Sequence, residues 1–183
     1  PDLSGSSLSL LGQTMLLLLG ASVVKNIFEE FGWRGYLAPK LQTITTNSMV
    51  GHILVGLVWF SWHLPYYLVL MSPEMLHQAT SFSSVIFLAL TFIGLIPTAI
   101  LYGELRIATD SVWPAVLIHT TANVFFDALV MQKFFNIPNP IAELIVTPGL
   151  YSLLTLAINI SVGLWLYRRR MLRRSINLAG NHA

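Results

Sequence analysis

The chain has 183 residues, of which 55% are hydrophobic and only 10% are charged, and its formal net charge at pH 7 is +2. A globular domain of this length with a mean hydropathy of +0.69 would not stay soluble in water, so lipid is the expected solvent. The chain contains no cysteine, which excludes disulfide bonds, thiolate nucleophiles and metal sites with cysteine ligands.

Five apolar stretches are long enough to cross a bilayer as helices, which need about 20 residues each. They run over residues 8–28, 48–71, 81–101, 112–131 and 143–167. Because the connectors are short and no internal repeat is visible, we expect an all-α, polytopic transmembrane bundle that forms one domain over 1–183. Because the first residue is Pro and not Met, we expect the sequence to be a fragment from which further upstream spans are missing.

The basic residues predict the orientation of the spans, because positively charged loops stay on the cytoplasmic side. Five arginines lie between Arg168 and Arg174, so we expect 168–183 to be a basic cytoplasmic tail, disordered over its polar end, 175–183. Beside an apolar span, such a run favours anionic membrane lipids over nucleic acid as partners. The same orientation leaves only Lys133 outside and puts four more basic residues near the cytoplasm: Lys25, Arg34, Lys40 and Arg106.

Glu29, Glu30 and Arg34 form the first polar cluster, at the inner end of the first span. Glu30 and Arg34 are four residues apart, so they share a helix face and can pair. An interfacial charge pair that caps the span is an equal alternative for these two residues. Glu29 points about 100° away around the helix and has no partner in the local sequence, so it is the better candidate for a general base or acid.

The second and third polar clusters lie inside the second and fourth spans. His63 follows aromatic residues and precedes Pro65; taken alone, it would be a packed, hydrogen-bonded core histidine. His119 and Asn123 are four residues apart and project from one helix face, with helix-packing hydrogen bonds as the alternative. Asp127 extends the same stripe, although an anchoring role near the outer interface is the better interpretation.

The remaining polar residues give weaker signals. Three histidines have no evident buried partner and receive no role: His52, His77 and His182. Three charged residues are expected in a short, solvated inner loop: Glu104, Arg106 and Asp110. Asn159 is isolated in the last span, where we expect it to take part in helix packing.

Together the clusters offer one unpaired carboxylate, two imidazoles and one amide, without a Ser–His–Asp or Cys–His nucleophile pattern. The simplest chemistry for this set is amide hydrolysis by direct attack of water, with Glu29 accepting its proton and His63 holding it in line. His119 and Asn123 would then donate hydrogen bonds to the oxyanion of the tetrahedral intermediate. We therefore expect an active site between helices that requires no cofactor.

A zinc site is the alternative for the same residues, with Glu29, His63 and His119 as ligands and an open fourth position. A metal is disfavoured because the sequence lacks the His-Glu-x-x-His pattern that marks many zinc proteases. Asn123 is also a poor zinc ligand but a good donor to an oxyanion.

Three ordered motifs carry a family resemblance: Glu-Glu-x-x-x-Arg at 29–34, aromatic-x-x-x-His at 59–63 and His-x-x-x-Asn at 119–123. Over roughly positions 20–130 the chain resembles the CAAX protease and bacteriocin-processing (CPBP or Abi) family of intramembrane glutamic endopeptidases, which are similar to the type II CAAX prenyl endopeptidases. One departure is Trp59, where the family usually has Phe, so only packing detail is in doubt there.

The resemblance implies a role for each motif residue. Glu29 would activate water with His63, while His119 and Asn123 would form the oxyanion hole. The resemblance further implies a peptide or protein substrate, with or without a lipid modification, because family members trim prenylated proteins or serve in peptide maturation or bacteriocin self-immunity. Two residues would support the site: Glu30 and Arg34.

Two other function classes stay open. A transporter or channel would use a buried glutamate and histidine to relay protons or to hold an ion. A catalytically silent member of the family would act as an immunity protein or as an interaction partner in the membrane.

The depths of the motif residues conflict with the span boundaries. At the helical rise per residue, His63 would lie about 22 Å from the inner surface, His119 about 10 Å from it, and Glu29 almost at it. We therefore predict that the first helix continues past Arg34 toward Lys40, and that the second helix starts later or is tilted, so that all three residues reach one depth.

Overall fold

A computed structural model describes residues 5–131, 134, 137 and 139–180. The regular structure within these residues is helical, with no strand among them, which confirms the predicted all-α class. In this part of the chain, eight α-helices follow one another: α1 Gly5–Glu30, α2 Ala38–Ile44, α3 Ser48–Pro65, α4 Pro73–Ala79, α5 Ser84–Thr109, α6 Trp113–Phe126, α7 Pro140–Val146 and α8 Leu153–Gly180. Three π-helical segments extend them: Phe31–Leu37 joins α1 to α2, Tyr66–Leu70 follows α3, and Asp127–Met131 follows α6.

Four helical stretches are long and apolar enough to cross a membrane, and they correspond to the first four predicted spans. They are Leu8–Ile44, Ser48–Leu70, Ser84–Thr109 and Trp113–Met131. Large apolar side chains cover their outer faces, since Leu17 and Val69 are both more than three-quarters exposed in the isolated chain. Exposed apolar surface of this extent needs lipid around it, and the protein is therefore an integral membrane protein.

The fifth predicted span, 143–167, is divided in the structure. α7 ends at Val146 and α8 begins at Leu153, with Pro148 and Gly149 between them. Proline removes a backbone donor and glycine gives little support to a helix, so this pair interrupts the apolar run. α8 then continues through the arginine run to Gly180, so the expectation of disorder over 175–183 is wrong for 175–180. Residues 181–183 lie outside the described residues.

The starts of three helices, α3, α4 and α7, follow from local capping. The side chains of Asn47, Ser72 and Asn139 each accept a hydrogen bond from a backbone N–H in the first turn of α3, α4 and α7. Such caps satisfy amide groups that have no partner inside the helix. α5 ends at Thr109 and is followed by Asp110, which adopts the left-handed conformation with a φ of 51°.

α5 is the central helix, because it packs against both α3 and α8, while α1 packs against α6. Trp59, Leu95, Ala99 and Tyr102 are among the buried residues of the core between these helices. Gly94 allows the α7–α8 connector to approach α5, because a Cβ atom at this position would lie 1.8 Å from the carbonyl oxygen of Leu150. This connector is thereby held against the middle of the bundle.

Glu104 is buried in the protein, so the expected solvated loop at this position is wrong. α5 continues to Thr109, which carries Glu104 between α3 and α8. His52 Nε2 lies 2.9 Å from Glu104 Oε1, and Arg170 donates from Nη2 to Oε1 at 2.6 Å and from Nε to Oε2 at 2.8 Å. His52, for which we expected no partner, is thus fully buried in this ion-pair network.

Two further contacts hold the outer segments. Asn159 of α8 donates to Thr98 Oγ1 of α5 at 2.7 Å, which confirms its predicted role in helix packing. Glu143 of α7 accepts hydrogen bonds from Thr80 Oγ1 and from the backbone N–H of Ser81, the latter at 3.2 Å. α7 is thereby joined to the connector between α4 and α5.

Candidate active site

The helix that carries the first motif is longer than its apolar core. It continues without a break from α1 through Phe31–Leu37 to Ile44, so the predicted extension past Arg34 toward Lys40 is confirmed. α3 begins at Ser48, where hydropathy had placed it, so the alternative of a later start is wrong. The wider π-helical turns begin directly after Glu30, and such turns are frequent at functional sites.

Glu29, His63, His119 and Asn123 all line one cavity of about 560 Å³, which we call the central cavity. Glu29 comes from α1, His63 from α3, and the other two residues from α6. Aromatic side chains from α3, α5 and α6 form much of the remaining wall, and the α7–α8 connector contributes Pro148 to Tyr151. The structure therefore brings together the four residues that the sequence placed in three separate spans.

The Glu29 carboxylate is held by an indole. Only 8% of Glu29 is exposed, and the Trp59 Nε1–H donates to its Oε2 at 3.2 Å. Lys25 Nζ lies 4.0 Å from the other oxygen, Oε1, at the edge of ion-pair distance. Neither contact was predicted, although the four-residue step from Lys25 to Glu29 was a signal for the second one.

Glu30 and Arg34 form the predicted pair, with Arg34 Nη1 donating to Glu30 Oε1 at 3.0 Å. Both side chains are fully buried, so the alternative of an interfacial charge pair is wrong. The Arg34 guanidinium lies over the ring of Trp59, 4.2 Å from its centroid, and 4.9 Å from that of Tyr102. Aromatic faces thus compensate part of the buried positive charge.

Each of the two histidines uses its Nδ1 atom for a structural contact. His63 Nδ1 lies 2.9 Å from the Trp59 carbonyl oxygen, and His119 Nδ1 lies 2.8 Å from Glu30 Oε1. Both oxygens can only accept, so each Nδ1 must carry a proton. Nε2 is therefore the ring nitrogen that each histidine has available for other partners.

Asn123 is oriented by a residue that sequence reasoning missed. Its Nδ2 donates to Asn26 Oδ1 at 3.1 Å, and Asn26 Nδ2 donates to Thr120 Oγ1 at 3.3 Å. Asn26 is fully buried, three residues before Glu29. Its polar side chain in an apolar span was the available signal, because such residues are expensive in lipid without a partner. Asp127 also lines the central cavity, so it lies beside the site and not only at an outer interface.

The residues of the zinc alternative do not form a metal cluster. Among the described residues, no three His, Asp or Glu side chains lie so that they could hold one ion together. The zinc alternative had named Glu29, His63 and His119 as the ligands. The requirement for no cofactor stays a prediction.

Comparison with known protein families gives one match. The model of a family described as type II CAAX prenyl endopeptidase Rce1-like matches residues 11–125, a range that contains all three motifs.

The chain belongs to this Rce1-like family. The resemblance predicted from the motifs is thereby confirmed, and membership indicates an intramembrane protease of the CAAX type. No curated protein and no solved structure matches the chain. α7 and α8 lie beyond the matched range, although residues of α8 and of the preceding connector line the central cavity.

Proposed function

We propose that this Rce1-like protein is an intramembrane endopeptidase that hydrolyses a peptide bond with water activated by Glu29. One observation carries the proposal: four polar side chains from three helices line a single cavity of the helical bundle. Polar groups at such a depth are costly. Their convergence on one cavity supports a catalytic role over dispersed helix-packing roles.

The first step is attack of water on the scissile carbonyl carbon. Glu29 accepts a proton from the water as the new C–O bond forms, acting as general base. His63 holds the same water through Nε2, which can accept a hydrogen bond because Nδ1 already donates to the Trp59 carbonyl oxygen. Because the water donates its two hydrogens to Glu29 and His63, one of its lone pairs points toward the carbonyl carbon.

The second requirement is stabilisation of the oxyanion that this attack creates. Asn123 can donate through the amide hydrogen that it does not use on Asn26. His119 can donate through Nε2 only when the ring carries both protons, because Nδ1 donates to Glu30. Donors of this kind are worth about 3 kcal/mol each in a site without bulk water.

Collapse of the intermediate completes the reaction. The C–N bond breaks as Glu29 returns the proton to the departing amine, and the new carboxylic acid then passes its remaining proton to the amine, which leaves a carboxylate and an ammonium group. No covalent bond to the protein forms at any stage. Glu30 and Arg34 take no part in proton transfer; they hold His119 and the Trp59 ring in position.

The central cavity supports a peptide or protein substrate, with or without a lipid modification. A volume of about 560 Å³ lies within the range of cavities that enclose small ligands or short peptide segments. Aromatic residues such as Tyr66, Tyr67 and Phe126 give it an apolar wall. We also propose that the C-terminus is cytoplasmic, because the arginine run of α8 follows its apolar part.

Proteolysis by the purified protein tests this proposal. The substrates are two quenched fluorescent peptides ending in a Cys-aliphatic-aliphatic-X sequence, one farnesylated and one unmodified. We expect the wild type to cleave at least one of them, Glu29→Gln and His63→Ala to lose activity by more than about 100-fold, and a chelator to have no effect. Cleavage by Glu29→Gln would refute the assigned base, and chelator-sensitive cleavage would favour the zinc alternative. Inactivity of the wild type on both peptides would favour a silent family member.

A further inference from the structure

Trp59 contacts residues of all three motifs of the candidate site. It lies on α3 with 2% of its surface exposed, and its indole N–H donates to Glu29. Its ring meets the edge of His119 at 5.3 Å between centroids and lies beneath the Arg34 guanidinium. Its backbone carbonyl oxygen accepts from His63. One residue thereby links the three motifs.

The indole distinguishes the two oxygens of the Glu29 carboxylate. Oε2 accepts the Trp59 N–H at 3.2 Å, while the nearest cation, Lys25 Nζ, lies 4.0 Å from Oε1, too far for a hydrogen bond. A carboxylate on a helix can rotate about its last side-chain torsion, which has only a broad preference. A single buried donor on one oxygen removes that freedom.

We propose that Trp59 is a positioning residue for the hydrolysis, because its indole N–H fixes the Glu29 carboxylate so that Oε1 takes the proton from water. The inference rests on the proposed function of Glu29. It goes beyond packing, since a phenylalanine at this position would fill most of the same space and would keep the contacts to His119 and Arg34, yet would carry no donor. The hydrogen bond to His63 comes from the backbone carbonyl oxygen of Trp59 and does not depend on the side chain.

Trp59→Phe is the substitution that tests this role. We expect kcat to fall about 10-fold, in proportion to one lost hydrogen bond to a charged group. KM should change less than about 2-fold, because Trp59 is almost fully buried and phenylalanine keeps most of its ring. Loss of packing in the cavity wall alone would change KM as well as kcat.

Trp113→Phe is the matched control. Trp113 lies on α6, is about half exposed, and packs its ring on Phe31 away from the central cavity. The same chemical change at this position should leave kcat and KM as in the wild type. A Trp59→Phe variant with wild-type kcat, or with a KM that changes as much as kcat, would overturn the proposal.

A second measurement reads the hydrogen bond without relying on activity. The chain has five tryptophans, so a protein with ¹⁵N-labelled tryptophan should give five indole N–H signals by NMR. Single Trp→Phe variants at the other four positions assign the Trp59 signal by elimination, even if Trp59→Phe does not fold. We expect Glu29→Gln to move the Trp59 signal more than any other, and the distant Glu143→Gln to leave it in place.

The outcomes separate the inference from the function. If Glu29→Gln abolishes cleavage but leaves the Trp59 signal unmoved, the positioning role is refuted and the proposed peptidase stands. If the wild type cleaves neither peptide while the signal responds to Glu29→Gln, the indole contact exists but positions no reaction, which refutes the role together with the activity.

Discussion

Glu30 joins two groups of the candidate site through one oxygen atom. Its Oε1 accepts from Arg34 at 3.0 Å and from His119 at 2.8 Å, and all three residues are buried. A carboxylate between two donors of this kind compensates the buried charge of Arg34 and orients the His119 ring. In the proposed mechanism, the second glutamate of the first motif therefore acts through its neighbours and does not need to reach the substrate.

Glu30→Gln should impair both activity and stability. The neutral amide no longer balances Arg34, and an uncompensated buried charge costs about 3 kcal/mol of unfolding free energy. We also expect kcat to fall about 100-fold, because His119 loses the carboxylate that orients its ring beside the central cavity. Thermal unfolding and peptide cleavage measure the two effects.

Glu74→Gln is the control for this substitution, since Glu74 lies in the first turn of α4 on the exposed surface. It should change neither quantity. A Glu30→Gln variant that unfolds more easily but cleaves at the wild-type rate would contradict the link between Glu30 and His119.

Among the elements, α8 is fixed by charge as well as by apolar packing. Arg170 makes a two-pronged contact to Glu104 of α5 and also donates from Nη2 to Ser48 Oγ at the start of α3, at 2.7 Å. This network joins three helices that are distant in sequence. Because its members are buried or half-buried, its contribution to stability depends on all of them being present.

Arg170→Gln should therefore destabilise the protein by about 3 kcal/mol, because it leaves the Glu104 carboxylate buried with His52 as its remaining partner. Arg169→Gln is the matched control one residue earlier: Arg169 is exposed and lies over the Trp165 ring, so its loss should cost less than about 1 kcal/mol. Chemical or thermal unfolding in detergent gives both values. Equal losses for the two variants would show that the Glu104 network does not hold α8.

At the scale of the whole molecule, the predicted orientation can be tested by cysteine labelling. The chain has no native cysteine that would give a background signal. In the proposed orientation, α4 lies outside the cell and the end of α8 lies in the cytoplasm. A single cysteine at Gln78, which is exposed on α4, should react with a membrane-impermeant maleimide in intact cells. A single cysteine at Ser175 should react only after the membrane is opened. Labelling of Ser175→Cys in intact cells would show that the orientation is the opposite of the one proposed.

Hydropathy and motif spacing predicted the class of fold, the first four spans and four of the residues that line the central cavity: Glu29, His63, His119 and Asn123. Hydropathy depends on the apolar run of each segment, and each motif lies within a few residues of one helix, so both signals are local in sequence. The extension of the first helix past Arg34 toward Lys40 was also predicted.

The errors concern contacts between distant helices. His52 and Glu104 are 52 residues apart, so no local pattern connects them, and each was interpreted alone. Trp59 was interpreted only as a packing residue. Its indole N–H donates to Glu29, which lies 30 residues earlier in the sequence and comes close only in the folded chain. The interruption at Pro148 and Gly149 was missed because the apolar average over 143–167 outweighs two residues.

The central cavity is lined by two parts of the chain, and only one of them lies within the range that the family model matches. The groups that would act on water in the proposed mechanism lie within 11–125, whereas the wall formed by the α7–α8 connector, Thr155 and Asn159 lies beyond it. The proposed reacting groups and this wall therefore come from separate segments of the chain. Substitutions in the wall at 148–159 are a route to altered substrate preference that leaves the four motif residues as they are.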